Sequence, residues 1–419
     1  MRLIHLSDLH IGKRVNEFSM LEDQEYILKE ILGIIDDEEP DGVIIAGDVY
    51  DKTVPSEEAV KLLDNFLTSL ANRKLQVYII SGNHDSATKL AFASRLIEIS
   101  GIHLSPVYDG QVRPLELTDR NGMSVKIHML PFVKPVQVKA VFPDEAENIR
   151  DYTEACSVAV KHMDIDVTET NILVAHQFVT GAERSDSEEN VGGLDNVDAS
   201  VFEVFDYVAL GHLHGPQKVG RDTVRYCGSP LKYSFSEAKH TKSVTVIDIP
   251  ENKKIEIRTV PLVPMHELRE IRGEFDELMD RAYYEGTAVD DYLSVVLTDE
   301  EEIPGVLGKL RTVYPNIMKF SYDNTRTRAN NQLDDCVKIE GRSIIDLFGE
   351  FYEKQNNQPM TEEQRAFVQN IIDSIDGGTE GIEDIEDIEN PEDTGDSEDL
   401  EDFEVSEDVF DSVNKEERS

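Results

Sequence analysis

Tryptophan is absent and cysteine nearly so: Cys156, Cys227 and Cys336 are the only three in 419 residues, widely spaced and without a CxxC pair. An odd, scattered set argues for a reducing cytoplasm and against a disulfide-stapled secreted scaffold. The lack of Trp discriminates nothing. Long apolar runs are missing as well. No stretch approaches the roughly 20 apolar residues that a membrane helix needs. The opening MRLIHLSDLH has one Arg and an apolar run broken by Asp8, so it does not read as a signal peptide. A soluble, cytoplasmic chain with no membrane contact is expected. Positive charge is also scarce: 41 Lys and Arg face 85 Asp and Glu, a formal net charge of −44, which by itself repels nucleic acid. Residues 376–419 hold 20 acidic residues against Lys415 and Arg418, so 18 of those 44 charges sit there and residues 1–375 still carry 26.

What is present is ample for two or three domains: 39% hydrophobic residues over a length too great for one compact unit. To about Val263, short apolar runs alternate with amphipathic helical patterns, the mark of an α/β domain. Leu21, Leu28, Ile31, Leu32 and Ile35 predict a helix over 20–35. After Pro55, Ser56 reads as an N-cap for a second helix with Val60, Leu63, Leu67 and Leu70 inward. Past Pro264 the chain predicts a smaller α/β domain: a strand over Tyr292–Leu297, a helix over Gly305–Val313, a strand over Ile317–Tyr322. The organisation expected is therefore 1–265, 266–340, a helical region 341–375 with apolar faces, and a disordered acidic tail 376–419.

One arrangement recurs along the first domain. LIHLSDLH ends a strand on Asp8 and His10, and VIIAGDVYD ends one on Asp48 and Asp51. VYIISGNHD ends on Asn83, His84 and Asp85; ILVAHQF ends on His176; YVALGHLH ends on His212 and His214. In α/β sheets, ligands gather in the crevice beyond the carboxyl ends of strands. Gly47, Gly82 and Gly211 precede the polar groups and permit the tight turns that aim them. One histidine after a strand is usually a packing or surface residue, and Asp or Asn there is an ordinary turn residue. Five such ends, with DxH, GDxxD, GNHD and GHxH spacings, are not ordinary. Imidazole, carboxylate and amide oxygen together suit Mn²⁺, Fe²⁺ or Zn²⁺ better than Ca²⁺. Seven ligands are too many for one ion, and a carboxylate such as Asp48 can bridge two ions about 3.5–4 Å apart.

These blocks resemble the calcineurin-like metallophosphoesterases. CGSPLKYSFSE at 227–237 and SIIDLFGEFYEKQNNQPMTEEQ at 343–364 extend the likeness to the SbcD-type nuclease subunits of bacterial SbcCD complexes, over roughly residues 1–372. The resemblance implies an α/β sandwich with a small α/β capping domain, C-terminal helices and a two-metal centre, with Mn²⁺ the favoured ion. It implies one metal on Asp8, His10, Asp48 and His214 and the other on Asp48, Asn83, His176 and His212. His84 would act on the scissile phosphate while Asp51 holds its imidazole. The implied activity is that of a 3′–5′ double-strand exonuclease and single-strand or hairpin endonuclease in DNA replication, repair and recombination, at the nucleoid. The implied partners are DNA, an SbcC-type ATPase docked on 341–375, and a second nuclease subunit. Two clusters are candidates for DNA phosphates: Lys232, Lys239, His240 and Lys242; and Lys309, Arg311, Lys319, Arg326 and Arg328. A protein phosphatase or cyclic-nucleotide phosphodiesterase of the same fold is the alternative, and a metal-free scaffold a more remote one. His5 and Cys227 read as packing residues.

Overall fold

The computed structural model describes residues 1–185, 188, 196–325, 327, 345, 348, 349, 352 and 359–376. The tail over 377–419, together with Arg326, Arg328 and Cys336, lies outside them. The chain divides into two compact units, Met1–Gly341 and Arg342–Ser419.

Two six-stranded sheets form the body of the first unit. In spatial order one runs Glu256–Pro261, Ser243–Asp248, Arg2–Leu6, Gly42–Ala46, Gln76–Ile80, Ile102–Leu104, the last four mutually parallel. The other runs Gln217–Val219, Arg221–Tyr226, Tyr207–Gly211, Asn171–His176, Ser124–Met129, Leu115–Thr118, parallel except at both edges. Central strands are apolar on both faces, as parallel strands buried on both sides must be. Alternate residues part to opposite layers. Leu3, Ile44, Tyr78, Ile172, Val174 and Ala209 fill the space between the sheets. Ile4, Val43, Ile45 and Val77 meet the helices Leu21–Glu38 and Glu57–Asn72 outside. Leu173 and Val208 meet Pro135–Val141 and Tyr152–Lys161 on the far face. The result is a four-layered α/β sandwich.

The helix expected over 20–35 is Leu21–Glu38, and Ser56 caps its successor by accepting from the Ala59 amide. That second helix buries Ala59, Leu63, Phe66 and Leu70, not the face through Val60, which is 46% exposed. Phe66 offers more area to bury than Val60, and the helix is rotated to bury it.

Beyond Pro264 a separate three-stranded parallel sheet, Leu268–Gly273, Tyr292–Leu297 and Ile317–Tyr322, packs with the helix Val306–Leu310 around its own core of Ile271, Leu293, Val295, Leu310 and Tyr314. It is tied to the body at Asp23, a fully buried carboxylate of the first helix. Asp23 accepts from the Tyr292 hydroxyl at 2.7 Å and from His266 Nδ1 at 3.1 Å. In the second unit the helix Glu362–Asp376 leaves Phe367 66% exposed. Phe348, Tyr352, Met360, Gln364, Phe367 and Val368 line an apolar hollow there. Among the described residues no helix is long and apolar enough to cross a membrane.

Candidate metal centre

All five polar strand ends converge where the carboxyl edges of the two sheets meet. The strands reach it in phase: His176 is the last residue of its strand and pairs in register with Gly211 of the neighbouring strand. Its Nδ1 donates to the Ala46 carbonyl of the opposite sheet at 2.9 Å. That crossing is possible because Gly211 and Gly47 carry no side chain. A Cβ on Gly211 would lie 1.8 Å from the Ala46 oxygen, and one on Gly47 2.3 Å from His176 Nδ1. Asp8, His10, Asp48 and His212 all have positive φ (53°, 44°, 48° and 106°). Four non-glycine residues in this region at one spot is local strain held by the surrounding fold.

Two donor sets share Asp48. In the first, ligand atoms of Asp8, His10 and His214 lie within 4.8 Å of one another. His10 Nε2 is 3.1 Å from His214 Nε2 and 3.6 Å from Asp48 Oδ2. In the second, Asn83 Oδ1 lies 3.0 Å from both His176 Nε2 and His212 Nδ1, and His176 Nε2 lies 3.3 Å from Asp48 Oδ2. Every residue of both sets except the half-buried Asn83 is buried. A buried cluster this rich in oxygen and nitrogen lone pairs is costly without a cation to receive them. The donors therefore fit divalent metal.

Protonation in the metal-free chain points the same way. Burial opposes a charged His176, yet the Asp48 carboxylate holds its pKa up at about 9. Burial likewise raises Asp48, but His176 and its neighbours hold it well below the usual carboxylate range. Burial, reinforced by the Asp48 charge, pushes Asp8 up to about 6. The proton on His176 Nε2 occupies the position of a cation, and metal entering there displaces it.

His84 is the half-exposed member of the cluster. Its amide donates to Asp48 Oδ1 at 2.9 Å. Its Nδ1 donates at 3.0 Å to the backbone carbonyl of Asp51, not to the Asp51 carboxylate, which is bound at 2.8 Å by Lys13. The Asp51 side chain points at a nearer full charge.

Several supporting residues carry no role in the sequence reading. Asp85, buried at the end of GNHD, accepts from the amides of Val49, Tyr50 and Gly82 and so stitches the two loops carrying Asp48 and Asn83. Glu237 takes the Nδ1 proton of His214 at 3.1 Å, which turns Nε2 toward the cluster. Glu237 is held in turn by Lys242 at 2.6 Å. Lys242 is buried, and it also donates to the His214 carbonyl and Ser229 Oγ. The first basic cluster expected to meet DNA is thus half internal: Lys242 is spent on Glu237, and Lys232 on Glu267 at 2.7 Å. A lysine five residues from a buried glutamate has a partner closer than any phosphate. In the second cluster Lys309, Arg311 and Lys319 are exposed. His5 is fully buried against the Tyr207 hydroxyl at 3.1 Å, and Cys227 is buried with its thiol pKa pushed up by desolvation.

The model of the calcineurin-like phosphoesterases matches residues 1–216, and that of the SbcD C-terminal domain, described as type 5 capsule protein repressor C-terminal domain, matches 264–356. The SbcD subunit of the nuclease SbcCD from Staphylococcus epidermidis is 32% identical over 383 residues, 90% of this chain and 99% of that protein. The chain belongs to the SbcD-type calcineurin-like phosphoesterases. As such it is a hydrolase that works with divalent metal, on the α/β sandwich described above. Among solved structures, a dimetal phosphatase from Danio rerio is 11% identical over 64% of this chain and 99% of that one, at a TM-score of 0.38. A phosphoesterase from E. coli is 12% identical over 63% and 100%, at 0.26. The SbcD-family centre thus sits in the half of the chain that the phosphoesterase model matches up to His214, while Glu237 and Lys242 lie beyond it.

Proposed function

We propose that this chain is the nuclease subunit of a DNA-end-processing complex, hydrolysing DNA phosphodiesters with two metal ions, preferably Mn²⁺. The observation that carries the reading is the meeting of two donor sets at one shared carboxylate, Asp48. Asp8, His10, Asp48 and His214 would hold one ion; Asp48, Asn83, His176 and His212 the other. Bound there, divalent ions supply charge neutralisation of the phosphodiester and acidification of water. His84 is the proton donor. Its Nδ1–H is fixed on the Asp51 carbonyl, so the imidazolium presents Nε2–H to the leaving oxygen. As the P–O bond breaks, that oxygen takes the Nε2 proton and the ring becomes neutral. Asp51 is its positioning residue.

The name of the Staphylococcus relative supports an ATPase partner of the SbcC type, acting with this chain on DNA ends as a 3′–5′ exonuclease and hairpin endonuclease in the cytoplasm, at the nucleoid. An acidic chain needs such a partner to supply DNA affinity. Its docking element is 341–375, supported by exposed Phe367, Ile371 and Phe348. The domain division 1–265 and 266–340 is part of this reading.

The test is Mn²⁺-dependent cleavage of a labelled double-stranded DNA end, with and without the ATPase and ATP. Wild type should cut, and His84→Ala should lose roughly 10²- to 10⁴-fold in rate with metal content unchanged. Intact DNA beside hydrolysis of a phosphoprotein or cyclic nucleotide would transfer the site to the alternative substrates.

A homodimer of nuclease subunits belongs to the same proposal. Phe92, Leu96 and Ile99 are 82, 73 and 88% exposed at helical spacing, a stripe that a second copy would cover. Leu96→Asp should halve the mass seen by sedimentation. Wild type sedimenting as a monomer at micromolar concentration rules the dimer out.

A further inference from the structure

We propose that Asp51 orients His84 through its main chain alone, and that Lys13 is the positioning residue that holds it there. The inference rests on the reading of His84 as proton donor. It concerns how this chain builds that donor.

The geometry separates the two ends of Asp51. Its carbonyl takes the His84 Nδ1 proton at 3.0 Å, while its carboxylate lies 2.8 Å from Lys13 Nζ. The next nitrogen to the carboxylate is His10 Nδ1, at 3.8 Å and outside hydrogen-bond range. Asp51 and Lys13 are 13 and 16% exposed in their side chains, so the pair is shielded enough to be more than a surface contact. Lys13 is itself fixed at both ends of its backbone: its amide donates to the His10 carbonyl and its carbonyl accepts from Met20. It therefore belongs to the turn that carries the ligand His10. The Asp51 amide donates to the Ile11 carbonyl, and the Ile11 amide to Val49. These bonds sew residues 49–51 to residues 10–13, and the Lys13–Asp51 pair closes the seam. The alkylammonium also lies 5.7 Å from the Tyr233 ring centroid, and the Tyr233 hydroxyl donates to Leu9.

Chemically, a carbonyl and a carboxylate are different supports for an imidazole. A carboxylate beside the ring stabilises its cation and makes it a poorer acid. A carbonyl fixes the tautomer without adding a full charge. With Lys13 neutralising Asp51, His84 is oriented by a dipole and faces a neutral pair. Lys13 then acts at one remove: loosen it, and residue 51 and the carbonyl on which His84 hangs are free to shift. Misplacement of a reacting group by about 1 Å costs up to roughly 100-fold in rate.

The experiment compares Lys13→Met, Lys13→Arg, Asp51→Asn, Asp51→Ala and the double variant Lys13→Met/Asp51→Ala in the full chain. Steady-state cleavage of bis(p-nitrophenyl) phosphate with Mn²⁺ is read beside metal content and the His84 Nδ1–H signal of metal-free, ¹⁵N-histidine-labelled protein. Asp51→Asn, which keeps both the carbonyl and an oxygen for Lys13, should stay within about threefold of wild-type kcat and keep the signal. Lys13→Met and Asp51→Ala should each lose about 10- to 100-fold in kcat with KM and metal content little changed. The double variant should be no worse than either, because one seam is cut twice. Lys13→Arg should recover most of the rate, which a generally damaged fold would not. Asp51→Asn falling as far as Asp51→Ala, with Lys13→Met at the wild-type rate, would overturn the proposal in favour of a carboxylate–imidazole pair. Loss of the Nδ1–H signal in Asp51→Asn would overturn it in the same way. If wild type cleaves no phosphodiester, the nuclease reading fails, while the signal still decides which end of Asp51 holds the ring.

Discussion

Asp48→Ala should abolish metal-dependent hydrolysis, lowering kcat/KM by roughly 10³-fold or more, and should lower metal content at both sites together. The reason is geometric. Asp48 Oδ2 faces His10 at 3.6 Å from one donor set and His176 at 3.3 Å from the other. No other carboxylate among the described residues stands between the two sets in this way. Divalent ions provide several kcal/mol of charge stabilisation to a phosphoryl transition state, and each 1.4 kcal/mol is tenfold in rate. Asp48 does more than ligate: Oδ1 receives the His84 amide at 2.9 Å, so its loss also unfastens the loop of the proton donor. The effect should therefore exceed that of His84→Ala, which leaves both donor sets whole. Calorimetric titration of Mn²⁺ against the two variants separates the cases. His84→Ala should bind as wild type does, and Asp48→Ala should show weakened binding at both sites. Two wild-type-strength ions bound by Asp48→Ala would mean that the sets are not bridged at this residue.

How far this was legible in the sequence differs between strand ends and what stands behind them. The five polar ends were readable because each follows an unbroken apolar run. The small sheet was readable for a similar reason: Tyr292–Leu297 and Ile317–Tyr322 are strands with the bounds their β-rich runs suggest. The helix after Pro55 shows where pattern runs short. Its cap is local and was visible in Ser56, but whether Val60 or Phe66 turns inward depends on the sheet beneath. The supporting residues fail for the same reason. Asp85 binds three amides from two loops, and nothing in GNHD distinguishes it from an ordinary turn aspartate. Lys242 read as a surface cation because a lysine usually is one. Only the folded turn at 227–242 reveals that it is enclosed with Glu237 behind a ligand histidine. Asp51 is the subtlest case. The residue is where the family pattern puts it, yet its side chain and main chain serve different partners. A one-letter code cannot separate the two.

Lys242→Met is the substitution expected to cost the most stability. Glu237 is fully buried, and the Lys242 ammonium lies 2.6 Å from its carboxylate. Burial alone would raise the Glu237 carboxyl, but His214 and Lys242 together hold it well below the usual range. Burial lowers the Lys242 pKa even against that pull. Each group is thus tolerated inside largely because of the other. Removing one partner of such a pair typically costs about 3–5 kcal/mol, since a buried charge is left uncompensated. Replacing both by neutral groups of similar shape is far milder. Chemical denaturation of the metal-free chain should show Lys242→Met strongly destabilised and Lys242→Met/Glu237→Gln restored to within about 1–2 kcal/mol of wild type. Recovery of stability should not bring recovery of the centre. Glutamine accepts the His214 Nδ1 proton without a charge, so the double variant should bind metal roughly 10- to 100-fold more weakly than wild type. A single Lys242→Met variant as stable as wild type would show that Glu237 is neutralised by other means. The orientation of His214 would then have to be sought in Glu188, which accepts the His214 amide from the opposite side of the sequence.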